Sequence, residues 1–293
     1  MIYDISHRTL YRYSAPVSQS HHLMHLSPRA IERQTVRRHS LLIEPAPTSR
    51  IDVVDYFGNP TTQLCVEEEH SEFVVHARST IEVAKRQPPD AASTMNFQRL
   101  FDDLMRGQHP LDLSVLQFTC PSRHTMPTMQ IVDYAAPSLL PGRPVLDAAW
   151  HLTRRLFADF TFDNTATDIS TPIATVLKQR RGVCQDFSHL ALACLRAAKI
   201  PARYVSGYLL THAPAGQPKL KGTDASHAWI SVWSPETGWV DLDPTNGSMP
   251  QEQHISIAYG RDYDDVSPIS GVLLGGGKHT VSVAVDVSET PVC

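Results

Sequence analysis

Arg181-Gly182-Val183-Cys184-Gln185-Asp186-Phe187, followed by His227-Ala228-Trp229 and then by Trp239-Val240-Asp241-Leu242-Asp243-Pro244-Thr245, are the stretches whose reading decides the fold. After Cys184, the residues Phe187, Leu190, Ala191, Cys194, Leu195 and Ala198 keep helical spacing, and Ile200-Pro201 stops the run. Cys184 therefore sits in or just before the first turn of a helix. The pattern then changes to period two: residues 202–210, 225–233 and 239–242 read as strands, and 255–259 and 280–287 as two more. A helix carrying a thiol followed by a mostly antiparallel sheet is an α+β layout.

Strand alternation puts His227, Trp229, Ser231 and Trp233 on one face, and on the next strand Trp239, Asp241 and Asp243 share a face. A three-residue hairpin loop, Ser234-Pro235-Glu236, places His227 directly opposite Asp243. A five-residue loop places Asp243 opposite Trp229, diagonal to His227 and on the same face. A slip of one residue would abolish the contact. Asp241 competes with Asp243 because both share the face.

Cys, His and Asp in this order supply a nucleophile, its base and the base's orienter. A thiol attacks as its thiolate, which a helix N-terminus and a neighbouring imidazolium both favour. Cys184 would attack a carboxamide or peptide carbonyl, His227 would protonate the departing amine and then activate the acceptor, and Asp243 would hold the imidazole's tautomer. Helix-start amides, that of Cys184 among them, are candidates for stabilising the oxyanion. A lone cysteine before a helix or a lone histidine in a strand is ordinarily structural; chain order and shared strand faces make this set a candidate site. Cys194, on the apolar face of the same helix, reads as core. Asp186 opposes a thiolate two residues away unless Arg180 or Arg181 neutralises it, and a structural role as a helix-start charge is favoured.

Outward from this core, residues 1–84 show short β-type runs at 11–13, 39–43, 51–56 and 72–76, broken by Pro16, Pro28, Pro45, Pro47 and the Gly58-Asn59-Pro60 turn. They form a β-rich N-terminal domain. Residues 85–144 read as a linker, polar and proline-bearing at 85–93, then two short helices near 97–105 and 114–118 and a proline-rich stretch. A catalytic core over 145–250 opens with an amphipathic helix at 145–157, with another helix beginning at Thr171-Pro172. Strands in 251–293 complete the fold.

A chain of 293 residues, 42% hydrophobic and 19% charged, is a globular protein with room for two domains. Its net charge of −4 gives no footprint for nucleic acid. No run approaches 18 apolar residues and the N-terminus turns polar at once, so neither a membrane span nor a signal peptide is expected, and the simplest location is cytoplasmic. Five cysteines without CxxC spacing argue for reduced thiols. His21 and His25 would share a helix face but lack a third ligand, so no metal is expected. Gly275-Gly276-Gly277 reads as a turn rather than a phosphate cradle, and no cofactor is expected. The glycine-bearing loop 212–224 before His227 is as compatible with a gate as with an ordinary surface loop.

Residues 182–187, 200–208, His227-Ala228-Trp229, Gly238-Trp239-Val240 and Asp243-Pro244-Thr245-Asn246 resemble the transglutaminase-like superfamily, which in bacteria includes transglutaminase-like cysteine proteases. The resemblance covers roughly residues 145–247. It places the family's Cys, His and Asp at Cys184, His227 and Asp243 and so selects Asp243 over Asp241. Ser27-Pro28-Arg29, Gln34-Thr35-Val36 and residues 55–59 are similar to the bacterial transglutaminase N-terminal domain, and residues 260–268 to the tail of such proteins. Phe162 stands where related chains often carry Tyr. The resemblance implies a papain-like core and cysteine-dependent acyl transfer at a peptide or protein amide. Family members include amidohydrolases, peptidases, cross-linkers that use an amine acceptor and ligase-like enzymes, and fold and triad alone do not choose among them. An amidohydrolase or peptidase is the leading expectation; a cross-linking enzyme, a peptide ligase and a non-catalytic peptide-binding module are the alternatives.

Overall fold

The computed structural model describes residues 1–107, 112–211 and 226–290. Its N-terminal sheet is organised by one strand, β1 (Ile2–Met24). The first half of β1 pairs antiparallel with β5 (His70–Val83) on one side and with β13 (His279–Thr290) on the other. Its second half pairs with β4 (Pro60–Val66) and β12 (Ile269–Gly275). With β2 (Gln34–Glu44) beside β5 and β3 (Ser49–Val54) beside β4, this makes seven strands in the order β2-β5-β1-β4-β3, with β12 and β13 both laid against β1.

Pro16 does not divide β1 into short strands as its sequence suggested. The pairing with β5 slips between Arg12 and Val17, and this irregularity accommodates a residue that has no N–H to donate. The strand β4 begins directly at Pro60 of the expected turn, because at the first residue of a strand proline costs no ladder hydrogen bond.

Among the described residues, six α-helices lie in sequence between the halves of this sheet: α1 (Phe97–Met105), α2 (Asp112–Leu116), α3 (Met129–Ala135), α4 (Val145–Asp159), α5 (Ile173–Gln179) and α6 (Cys184–Ala197). Helix α3 falls in the stretch read only as proline-rich; Thr128 caps it by accepting from the Ile131 N–H. Helix α6 is the centre of the core, buried without a break from Asp186 to Arg196. It packs on a four-stranded antiparallel sheet ordered β10 (Gly238–Leu242), β9 (Ser226–Ser234), β8 (Ala202–Leu209) and β11 (His254–Gly260). The Cys-bearing helix on an antiparallel sheet, beside a β-rich N-terminal region, is the α+β arrangement that the sequence indicated.

The C-terminal strands divide between the two sheets. β11 completes the core sheet, whereas β12 and β13 return to β1 across a turn at Gly275, Gly276 and Gly277, all with positive φ. Val285 and Val287 of β13 join Tyr3, Ile5, Ile81 and Val83 in one hydrophobic cluster with the helices and β9, so the end of the N-terminal sheet leans on the helical core. No helix among the described residues is long and apolar enough to cross a membrane.

Candidate active site

The approach to Cys184 is set before the helix starts. Helix α5 ends at Arg180 in the left-handed conformation (φ 56°), its guanidinium over the rings of Tyr134 and Phe160 at 4.6 and 4.9 Å. The chain then runs as a two-residue strand, β7 (Arg181–Gly182), parallel to β6 (Thr161–Phe162). Asp186 folds back over this entrance: its Oδ2 accepts from the Val183 N–H at 2.8 Å and from the Thr167 hydroxyl at 2.7 Å. A Cβ on Gly182 would lie 2.6 Å from that oxygen, so the position requires glycine. Asp186 is thus a capping group, and among the described residues neither arginine pairs with it. Arg180 is stacked, Arg181 pairs with Asp163 at 3.5 Å, and burial raises the Asp186 pKa. The half-buried Cys184 is the first residue of α6.

His227 is the second residue of β9 and lies opposite Gly207 of β8. A Cβ on Gly207 would come within 2.6 Å of Trp229, so this glycine lets the indole lie across the sheet beside His227. The β9–β10 hairpin pairs Ser234 with Gly238 and Trp233 with Trp239, ending at Ile230 with Leu242. This is the second of the two registers considered, with Asp243 following in line with Trp229 and diagonal to His227.

That geometry brings the three candidates together. His227 donates from Nε2 to Asp243 Oδ2 at 2.8 Å, and Cys184 lies near enough to the ring to raise its pKa. Because a carboxylate only accepts, the proton between His227 and Asp243 sits on Nε2, leaving Nδ1 to serve the thiol. Asp241 takes no part: Arg33 from the N-terminal region holds its Oδ2 at 2.5 Å. Cys194 is fully buried, its thiol pushed up to about 12 by desolvation.

Two further residues complete the cluster. His254, at the start of β11, donates from Nε2 to the same Asp243 Oδ2 at 2.9 Å, and the Asn246 amide donates to it at 2.7 Å. The Thr245 and Asn246 backbone N–H groups take Oδ1 at 2.9 and 3.1 Å. Asn246 belongs to the motif around Asp243 but carried no assigned role, and His254 gave no sequence signal, because its place depends on which strand β8 pairs with on its far side.

Burial by itself would raise the Asp243 pKa; the bonds from His227 and His254 outweigh it and hold the carboxyl well below the usual range. Burial likewise opposes a charge on His227, but Asp243 and Cys184 outweigh it and push the imidazole up to about 10. For His254 burial wins, and its pKa is lowered.

His227, Asp243 and His254 bring three potential ligand atoms within 4.8 Å of one another. The spacings of 2.8 and 2.9 Å are hydrogen-bond lengths, shorter than the roughly 3.3 Å between tetrahedral ligands bound at about 2.0–2.1 Å. The cluster is a proton-bearing network rather than a ligand cage. His124, Asp262 and Asp264 form a second group, in which His124 Nε2 already donates to Asp264 at 2.9 Å and Asp262 accepts the backbone N–H groups of His124 and Asp264. His21 lies in β1, not on a helix, and His25 just beyond it is bonded to the Ser267 carbonyl and to Asp55, so the spacing that suggested paired ligands does not arise. The loop 212–224, considered as a gate, lies outside the described residues.

Residues 134–244 match the Transglutaminase-like superfamily, and residues 3–82 match the Bacterial transglutaminase-like N-terminal region. An uncharacterized protein of Mycobacterium tuberculosis is 38% identical over 290 residues, covering 97% of this chain and 92% of its own. The chain belongs to the transglutaminase-like superfamily. Another relative, an uncharacterized protein of Mycobacterium leprae, is 33% identical over 97% of this chain and 98% of its own. Over 86 residues, 28% of this chain and 13% of the relative, the chain is 40% identical to a protein-glutamine gamma-glutamyltransferase of Pseudomonas aeruginosa. A crystal structure from Cytophaga hutchinsonii, described as a "putative cysteine protease", shares the transglutaminase-like fold with a TM-score of 0.75 at 20% identity, over 100% of this chain and 92% of that one.

Proposed function

We propose that this transglutaminase-like protein is a thiol amidohydrolase or peptidase, with Cys184 as nucleophile, His227 as general acid and base and Asp243 as orienter. The observation that carries the reading is the His227 ring bonded to the fully buried Asp243, with Cys184 near enough to raise the pKa of the same ring. In acylation, Cys184 Sγ bonds to the amide carbonyl carbon while His227, already protonated, carries the thiol's proton on Nδ1. The C–N bond then breaks, the amine leaves with the proton returned by His227, and a thioester remains. In deacylation His227 takes a proton from water, the oxygen attacks the thioester, and the thiol is regenerated. The Cys184 N–H lies in the first turn of α6, where helix amides lack an intrahelical acceptor, and it is the proposed oxyanion donor.

A second reading replaces water by an amine, giving an isopeptide cross-link; the segment similar to the glutamyltransferase favours it. Both readings share the thioester and differ only in the acceptor. Mass spectrometry of a glutamine-containing peptide incubated with a primary amine separates them: ammonia release or backbone cleavage marks hydrolysis, and a mass increase equal to the amine less ammonia marks transfer. Turnover that persists in Cys184→Ala would refute both.

A further inference from the structure

A cavity of about 600 Å³ opens between residues 29–33 of the N-terminal region, the connector 84–89 and strand β10. Cys184, His227 and Asp243 do not line it, so it is separate from the candidate active site. Five basic side chains face it, Arg29, Arg33, Lys85, Arg86 and Arg203, against the two acidic residues Glu32 and Asp241. In a chain whose net charge is −4, this is a local concentration of positive charge.

The two acidic groups offset only part of it. Asp241 Oδ2 is held by Arg33 at 2.5 Å, and Arg86 donates to the carbonyls of Trp239 and Thr237 rather than to a carboxylate. Arg29 Nη1 is taken by the Phe57 carbonyl and by Asn59, while its Nε is buried without a hydrogen-bond partner among the described residues. Arg203 is the central case. Its guanidinium lies over the Tyr259 ring at 3.6 Å and the Trp239 ring at 4.1 Å, which fixes its plane. Among the described residues it forms no ion pair, and its Nε is likewise buried and unbonded. A guanidinium stacked against two rings has its faces occupied, its Nε–H has no acceptor, and the terminal edge of such a group matches the two oxygens of a planar or tetrahedral oxyanion.

We propose that this cavity is a binding site for a small organic oxyanion, a carboxylate or a phosphate ester, held by the Arg203 fork with Arg29 and Lys85 supplying further positive charge. The volume suits a ligand of metabolite size, and Trp239, Tyr259 and Pro88 offer apolar contact to its carbon skeleton. The site does not depend on the acyl-transfer reading and is testable without turnover.

The test is thermal unfolding of the full chain titrated with inorganic phosphate in one arm and succinate in another, each against sodium chloride of equal ionic strength. A saturable rise in Tm of about 5 °C in either arm is expected, and which arm responds identifies the oxyanion. Arg203→Lys, which keeps the charge and loses the fork, removes the response. Lys85→Glu, at an exposed position where folding is not at risk, weakens the apparent affinity about tenfold. The proposal is overturned if neither anion acts beyond the chloride control, or if the rise is unchanged in Lys85→Glu and in Arg203→Lys.

Discussion

Replacing Asp243 by Asn keeps the shape of the side chain and removes its charge, which makes it the most informative perturbation of the site. His227 rises from an ordinary 6.5 to about 10, against its own burial, through its bond to Asp243 and the nearby Cys184. At 1.36 kcal/mol per unit this is a ceiling of about 5 kcal/mol, and desolvation of two charges that are 10% and 0% exposed brings the expected loss to about 3 kcal/mol. The sign follows from linkage. A group whose folded pKa is raised contributes stability that is complete below its unfolded value, near 6.5, and disappears as the pH climbs through about 10. Asp243, depressed in the fold, contributes above its unfolded value near 3.9 and loses that contribution in acid. Urea unfolding of wild type and Asp243→Asn at pH 6, 8 and 10 should therefore show the gap widest at pH 6 and smaller at pH 10, where only the bonds of Asp243 that do not need a charged His227 remain. Turnover in the variant should fall by about 10³ or more at pH 7, because an amide at this position no longer enforces the His227 tautomer. A stability gap that stays constant from pH 6 to 10 would refute the idea that Asp243 holds His227 in its cationic form.

Other expectations follow from neighbouring residues. His254→Leu removes one of three donors to Asp243 Oδ2, costing about 1–3 kcal/mol of stability by chemical denaturation, and His254→Gln, which can still donate, recovers most of it. Gly207→Ala drives a methyl group into Trp229 and the Ile255 carbonyl and should lower stability by about 3 kcal/mol, with a change in tryptophan fluorescence. In peptide mapping after iodoacetamide, Cys184 should be alkylated in the folded protein and Cys194 only after unfolding, because Cys194 is completely buried and its thiol raised to about 12. Alkylation of Cys194 before Cys184 in the native protein would remove the basis for the proposed nucleophile.

Much of the core was legible because its determinants are local. The spacing of apolar residues after Cys184 fixed helix α6 and its start, and alternation in 225–233 and 239–242 fixed which side chains share a face. Two hairpin registers remained, and both kept Asp243 within reach of His227, since a shift of two residues conserves the face. The N-terminal sheet was less legible. β1 runs through Pro16 because a bulge absorbs the missing donor, and β4 begins at a proline.

What the sequence by itself determined is the thiol at a helix start and the strand faces that carry histidine and carboxylate, because helical and strand periodicities are properties of neighbouring residues. What only the tertiary structure decided depends on partners far apart in the chain. Arg33 claims Asp241 across 208 positions and so frees Asp243 for His227. His254 reaches Asp243 only because β11 closes the sheet beside β8. Strands β12 and β13 leave the core to pair with β1, and the cationic cavity exists only where the connector 84–89 crosses β10. Each of these is a choice of partner made by burying apolar surface and satisfying charges across the whole chain, and no local pattern encodes it.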